Sequence, residues 1–162
     1  MADSWVINAS PIILLAKAGL IHLLPVLADP LIIPTPVADE VRRGPSGDAG
    51  SRWLNESGSR HVQPPVFEPA DLASAAIGAG EKSVLSWALA HPVFIAVLDD
   101  FAARVLARKL GVPVLGTVGV LLRLKQAGLI DKIKPHLESI RLHGGHLSEA
   151  LLFEALNRAN ER

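Results

Sequence analysis

The sequence predicts a single α/β domain, with a mostly parallel sheet of four or five strands, helices on both faces and extra helices toward the C-terminal end. Three observations carry that expectation. The strand candidates are short apolar runs without polar alternation, as in strands buried on both faces. A helical pattern follows each of them, which is the rhythm of parallel strands joined by crossovers. The 162 residues, 49% of them hydrophobic, suit one core and one domain over residues 1–162.

Taken in order, Trp5-Val6-Ile7-Asn8 is the first strand and stops at Ala9-Ser10-Pro11. Ser10 has the chemistry of an N-cap and Pro11 that of a first helical residue, so a helix is expected from Pro11 to about Ala18, ended by Gly19. Leu20 to Leu27 reads as a second short helix closed by Asp29-Pro30, and Leu31-Ile32-Ile33 as a buried strand between prolines. Thr35-Pro36 repeats the cap-and-proline signal ahead of a helix from Pro36 to Arg43. Residues 44–50 read as loop, 51–57 as a helix around Trp53, and His61 to Gln63 as a marginal strand. Pro64-Pro65 and Pro69 mark a surface connection.

The second half is more regular. Glu81 to Ala90 is an amphipathic helix with Val84, Leu85, Ala88 and Leu89 on one face. Val93 to Leu98 is the strongest strand signal, followed by a helix from Phe101 to Leu110 that Gly111 ends. Val112 to Leu115 is another strand, and Gly116 leads into a helix from Thr117 to Ala127. After Gly128 the pattern stays helical over Ile130 to His143, with a break expected at Pro135, and over Ser148 to Asn160.

Composition excludes several function classes. There is no cysteine, hence no disulfide framework, thiolate zinc site or cysteine nucleophile. The 16 basic and 16 acidic residues cancel, which argues against attachment to nucleic acid by bulk charge. The balance hides an asymmetry: residues 1–100 hold 6 Lys/Arg against 11 Asp/Glu, whereas residues 101–145 hold 8 against 2. An acidic pocket with a basic rim and plain solvated helix faces both fit that distribution. No segment has the roughly 18 uninterrupted apolar residues of a membrane helix. The start, with Asp3 and no basic leader, does not read as a signal peptide, so a cytoplasmic location without membrane attachment is the expectation.

Ligands of parallel sheets sit outside the carboxyl ends of the strands, which directs attention to Asn8-Ala9-Ser10, Asp99-Asp100 and Gly116-Thr117. Two adjacent carboxylates at Asp99 and Asp100 repel unless a cation or solvent stabilises them, which suits a hard divalent metal. One of them also suits the cap of the helix that follows, and both readings stand. Glu81, behind Gly78-Ala79-Gly80, reads as a helix-dipole partner or as an acid that the glycines let other backbone approach. Glu40, with Asp39 beside it, reads as a surface acid, and Ser10 and Thr117 read first as helix caps. His143-Gly144-Gly145-His146 reads as a turn, and no histidine pair has metal-ligand spacing. A G-x-S-x-G elbow, a P-loop and a dinucleotide fingerprint are absent.

The ordered set of segments resembles the PIN domain, the fold of VapC-type toxin ribonucleases, and within it a prokaryotic subfamily of unknown function predicted to bind nucleic acid. The segments are residues 6–17, Ile33-Pro34 with Val37 and Glu40, Gly78-Ala79-Gly80-Glu81, Leu98-Asp99-Asp100 with Ala103-Arg104, and residues 114–121. The resemblance runs from about residue 5 to 156. It implies an α/β/α sandwich whose clustered acids bind Mg²⁺ or Mn²⁺ and cleave RNA. Glu40, Glu81, Asp99 and Asp100 would then be the catalytic acids and, with Asn8, the metal ligands, while Ser10 and Thr117 would be polar neighbours of the substrate. The family pattern usually has Asp at the position of Asn8; an amide oxygen still ligates a hard cation but removes one negative charge.

The resemblance thus implies a metal-dependent ribonuclease, the toxin of a toxin–antitoxin pair, with Arg104, Arg108 and Lys109 neutralising RNA phosphates. The alternative is a PIN-like module that binds nucleic acid or protein without catalysis, which Asn8 supports. Partners implied are RNA, a cognate antitoxin and a second copy of the chain. Leu147, Leu151, Leu152 and Leu156 form an apolar stripe suited to a partner or to packing on the core.

Overall fold

The computed structural model describes residues 2–45 and 47–162. Five strands form one parallel sheet: β1 (Asp3–Ile7), β2 (Ala28–Pro34), β3 (Val62–Gln63), β4 (Ile95–Val97) and β5 (Val114–Leu115), in the order β3-β2-β1-β4-β5. Helices α1 (Ala9–Lys17), α2 (Leu24–Leu27), α3 (Thr35–Arg42), α4 (Ala49–Asn55), α5 (Ala70–Ala73), α6 (Ala79–Ala90), α7 (Phe101–Lys109), α8 (Thr117–Gln126), α9 (Lys134–Leu142) and α10 (Glu149–Arg158) complete it. The result is an α/β/α sandwich with additional C-terminal helices. Trp5, Val6, Ile7, Leu31, Ile33, Ala96 and Val97 are buried, which is why these strands lack polar alternation.

Chain order matters for the site. From β1 the chain moves outward through β2 to β3, then returns across β1 to build β4 and β5 on its other side. The direction of winding therefore reverses between β1 and β4, and the crevice at their carboxyl ends is where such sheets bind ligands. Two backbone bonds carry the ladder past the last paired residues: Asn8 N–H to Val97 O (3.0 Å) and Leu98 N–H to Leu115 O (2.9 Å). They fix Asn8, Asp99 and Gly116 at the rim of that crevice.

Several expectations need correction. Helix α1 begins at Ala9 with Asn8 as its N-cap, so Ser10 lies inside the first turn and caps nothing. Pro11 is tolerated there because the first N–H groups of a helix lack intrahelical acceptors anyway. Thr35 is likewise helical; its hydroxyl donates to Gln63 O (3.0 Å) and ties α3 to β3. Strand β2 is longer than Leu31-Ile32-Ile33, running through Asp29-Pro30, which has a cis peptide bond. Pro30 fits because the β1–β2 register shifts there, between the pairs Asp3–Ala28 and Trp5–Leu31. Strand β4 is shorter than the apolar run: Val93 is 74% exposed, and Phe94 packs edge-on against Trp87 and His91. Strand β5 starts at Val114 because Pro113 has no N–H to donate. Pro135 opens α9 instead of breaking a longer helix, and α5 is an element without a sequence signal.

The C-terminal segment is tied down by a carboxylate. Glu161 Oε2 accepts from Lys125 Nζ (2.9 Å) and Ile133 N–H (2.8 Å), and Oε1 accepts from Lys134 N–H (3.1 Å). Burial pushes the Glu161 carboxyl up, but these donors outweigh it and hold the group below its ordinary value. No single helix among the described residues is long and apolar enough to cross a membrane.

Candidate active site at the ends of the central strands

An open cleft of about 1020 Å³ lies over the carboxyl ends of β1, β4 and β5, lined by Asn8, Ser10, Glu40, Glu81, Asp99, Asp100, Arg104 and Thr117 among others. These residues are spread from position 8 to position 117, and the topology of the sheet brings them to one place.

Asn8 is buried, and its side chain does not do what an N-cap Asn ordinarily does. No hydrogen bond joins it to the first turn of α1, where Pro11 at the third helical position has removed one N–H it could have accepted from. Its Oδ1 is buried with no hydrogen-bond partner among the described residues. Gly80, in the first turn of α6, stands against it: a Cβ built there would lie 3.0 Å from Asn8 Oδ1 and 3.4 Å from Glu40 Oε2. The absent side chain is what lets the start of α6 approach both oxygens.

Glu81 reaches back to the start of its helix, where Oε1 accepts from Gly78 N–H (3.0 Å). Oε2 is buried without a partner. Burial pushes the carboxyl above its ordinary value; the Gly78 N–H opposes this, and the nearby Asp100 and Glu40 carboxylates add to it. Glu81, Asp100 and Glu40 are thus mutual electrostatic neighbours.

The two aspartates separate. Asp100 caps α7, with Oδ2 accepting from Ala103 N–H (2.9 Å), and its carboxyl also contacts Glu81. Asp99 turns to α8: Oδ1 accepts from Thr117 N–H (2.7 Å) and Oδ2 from the Thr117 hydroxyl (2.6 Å). Capping and site formation are therefore not alternatives here. Asp100 does both, and Asp99 fastens the neighbouring helix.

Among the described residues no three His, Cys, Asp or Glu side chains converge closely enough to hold a metal ion unaided. The amide oxygen of Asn8 is the further hard donor at this point. Two buried oxygens without partners, Asn8 Oδ1 and Glu81 Oε2, beside two more carboxylates, are a donor set that fits a hard divalent cation.

A family model described as a PIN domain matches residues 4–161. The chain belongs to the PIN domain family. Neither a curated protein nor a solved structure matches it. PIN domains have a nuclease-type fold and typically use divalent metals.

In this PIN domain the expected residues do not all meet. Asn8, Ser10, Glu40, Glu81, Asp99, Asp100, Arg104 and Thr117 line the cleft. Arg108 and Lys109 do not; they occupy the exposed last turn of α7, away from the end where Asp100 caps it. Gly116, which the strand-end rule points to, lines it as well, as do Arg123, Gln126 and Arg158, which carry no advance signal, and His143 with His146, which read as a turn. The His143–His146 segment is a turn, as its glycines imply, yet the packing of α9 and α10 brings it beside the cleft. Arg123 pairs with Asp3 (2.7 Å), a long-range contact no local pattern announces.

Proposed function

We propose that this PIN domain is a metal-dependent ribonuclease that hydrolyses RNA phosphodiesters with Mg²⁺ or Mn²⁺. The observation that carries the reading is the pair of buried, unpartnered oxygens, Asn8 Oδ1 and Glu81 Oε2, at the switch point of the sheet. Buried polar atoms are seldom left without a partner, and a hard cation satisfies both. Asn8, Glu40, Glu81 and Asp100 would hold the ion. When bound, it supplies Lewis acidity for water activation and charge for the phosphate in flight.

The chain's own residues do the rest. Burial, with the acidic neighbours adding to it, raises the Glu81 carboxyl, so a bound cation would have to hold it in the charged form. Thr117 and Asp99 tie the start of α8 to the segment just past β4, at the floor of the cleft. Arg104 faces the same space and would meet a phosphate, with Ser10 as a polar neighbour. Arg108 and Lys109 would contribute only to a longer RNA running past α7. A cytoplasmic toxin role, with an antitoxin and a second copy as partners, is the biological setting this reading carries.

One observation favours a second reading. Asn8 is neutral where the family pattern usually has Asp, which would weaken cation binding and leave a nucleic-acid- or protein-binding module. The experiment that decides is RNA cleavage in Mn²⁺ by the parent, Asp100→Ala and Asn8→Asp, each checked for folding. Activity in the parent that disappears in Asp100→Ala supports the ribonuclease. Activity only in Asn8→Asp supports the weakened module, and retained activity in Asp100→Ala overturns the assignment.

A further inference from the structure

Gly116 precedes α8 with φ −96° and ψ 176°, backbone that any L residue adopts. Its missing side chain is therefore about space. A Cβ built there would run into Nη1 of Arg104 and lie 3.2 Å from Asp99 Oδ1. The guanidinium of Arg104 thus rests in the slot that a side chain at 116 would fill. The next residue, Thr117, holds Asp99 by both carboxylate oxygens. The ends of β4 and β5 and the first turns of α7 and α8 converge on this one spot.

Arg104 itself is half-buried and lines the cleft, and it takes part in none of the ion pairs among the described residues. A guanidinium seated against Gly116, with no ion pair among the described residues, keeps its planar set of donors for a ligand. Such a fork fits the oxygens of a phosphate as it fits those of a carboxylate, and here no carboxylate among the described residues takes it in an ion pair.

We propose that Asp99, Gly116 and Thr117 form a seat that aims Arg104 at a phosphate of bound RNA, and that Asp99 is a positioning residue and not a cation ligand. This rests on the ribonuclease reading and deepens it by giving the phosphate a subsite of its own, apart from Asn8, Glu40, Glu81 and Asp100. Each Asp99 oxygen already accepts a short hydrogen bond, whereas the unpartnered oxygens lie on Asn8 and Glu81. Gly116→Ala is the discriminating change: its Cβ meets the far end of a flexible side chain, so Arg104 is displaced while its charge and the fold are kept.

The test is fluorescence anisotropy of a labelled single-stranded oligouridylate in EDTA across a salt series, with Mn²⁺ calorimetry on the same proteins. Arg104→Ala and Gly116→Ala are each expected to weaken binding about tenfold, and to reduce the salt slope by about 0.7, the value of one phosphate contact. The double variant should bind no more weakly than Arg104→Ala alone. Asp99→Asn, which keeps an acceptor for Thr117 N–H, should retain most of the affinity that Asp99→Ala loses. Mn²⁺ binding should be unchanged in Arg104→Ala, Gly116→Ala and Asp99→Asn. Loss of Mn²⁺ binding in Asp99→Asn to the extent seen in Asp100→Ala overturns the positioning role. Parent-like RNA affinity in Gly116→Ala or Arg104→Ala overturns the seat while leaving the ribonuclease reading intact. A parent that binds Mn²⁺ but no oligonucleotide at any salt overturns both.

Discussion

Replacing Glu81 by Gln should stabilise the protein in chelator and destabilise it, relative to the parent, in Mn²⁺. In the parent, Oε1 is bonded to Gly78 N–H at 3.0 Å, while Oε2 is buried, unpartnered and close to the Asp100 and Glu40 carboxylates. A buried group left without its hydrogen bond costs about 1–3 kcal/mol. Because the rest of the Glu81 side chain is partly solvated, the lower end, about 1 kcal/mol, is appropriate. Gln keeps the oxygen that Gly78 needs and places an amide donor among acceptors. For a chain of this length, about 1 kcal/mol corresponds to a rise in Tm of about 2–4 °C. Mn²⁺ at a hundredfold excess over its Kd stabilises the parent by about 2.7 kcal/mol, a larger effect that the variant forgoes. The order of the two melting curves should therefore invert between EDTA and Mn²⁺, read by circular dichroism at neutral pH. A variant that melts below the parent in EDTA, or that gains as much from Mn²⁺, refutes the description of Glu81 as an unsatisfied cation ligand.

Three further outcomes follow from the same geometry. The raised Glu81 carboxyl binds its proton more tightly in the folded state, so its contribution is full below the unfolded value and is lost as pH rises through the folded one; the Tm advantage of Glu81→Gln in EDTA should grow from acid toward neutral pH, and an advantage that shrinks contradicts the sign. Glu161 is the opposite case, with its stabilisation present above the unfolded value and lost as pH falls through the lowered one; Glu161→Gln should cost about 1–2 kcal/mol in urea unfolding at neutral pH, and the loss should vanish in acid. Gly80→Ala, whose Cβ would lie 3.0 Å from Asn8 Oδ1, should lower stability by about 1–3 kcal/mol and weaken Mn²⁺ binding in calorimetry. Parent-like stability and Mn²⁺ affinity would show that the start of α6 does not need its close approach.

Much of the layout was legible because its causes are local. Apolar runs at Val6–Ile7 and Leu31–Ile33 declare strands buried on both faces, and Gly19 and Gly111 end helices with φ of +75° and +74°. Helix starts were less legible, because Ser10 and Thr35 carry cap chemistry that the chain does not use for capping. What decides there is tertiary: Asn8 N–H bonds to Val97 O, which fixes where β1 stops and so where α1 begins. At the site, the acids could be named from the order of segments, but not their division of labour. Asp99 and Asp100 are adjacent in sequence, and only the folded arrangement sends Asp99 to Thr117 at the start of α8 and Asp100 toward Glu81. The strand-end rule pointed to Gly116, but why it must be glycine was invisible, because its φ is ordinary and the need comes from Arg104, twelve residues earlier in the chain.

The central place of β1 has a consequence for biosynthesis. Strand β1 is made before both of its partners, residues 28–32 on one side and 95–97 on the other, so it waits for the second while most of the sheet is still being made. At about 5–20 residues per second, that wait lasts roughly 5–20 s. During it, the edge of β1 that will meet β4 has no partner, and the strand carries Trp5, Val6 and Ile7. The same delay governs activity. A cleft lined by residues 8, 40, 81, 100, 104 and 117 cannot exist on a partial chain, so any chemistry the cleft supports has to wait until residue 117 has emerged and the start of α8 has docked.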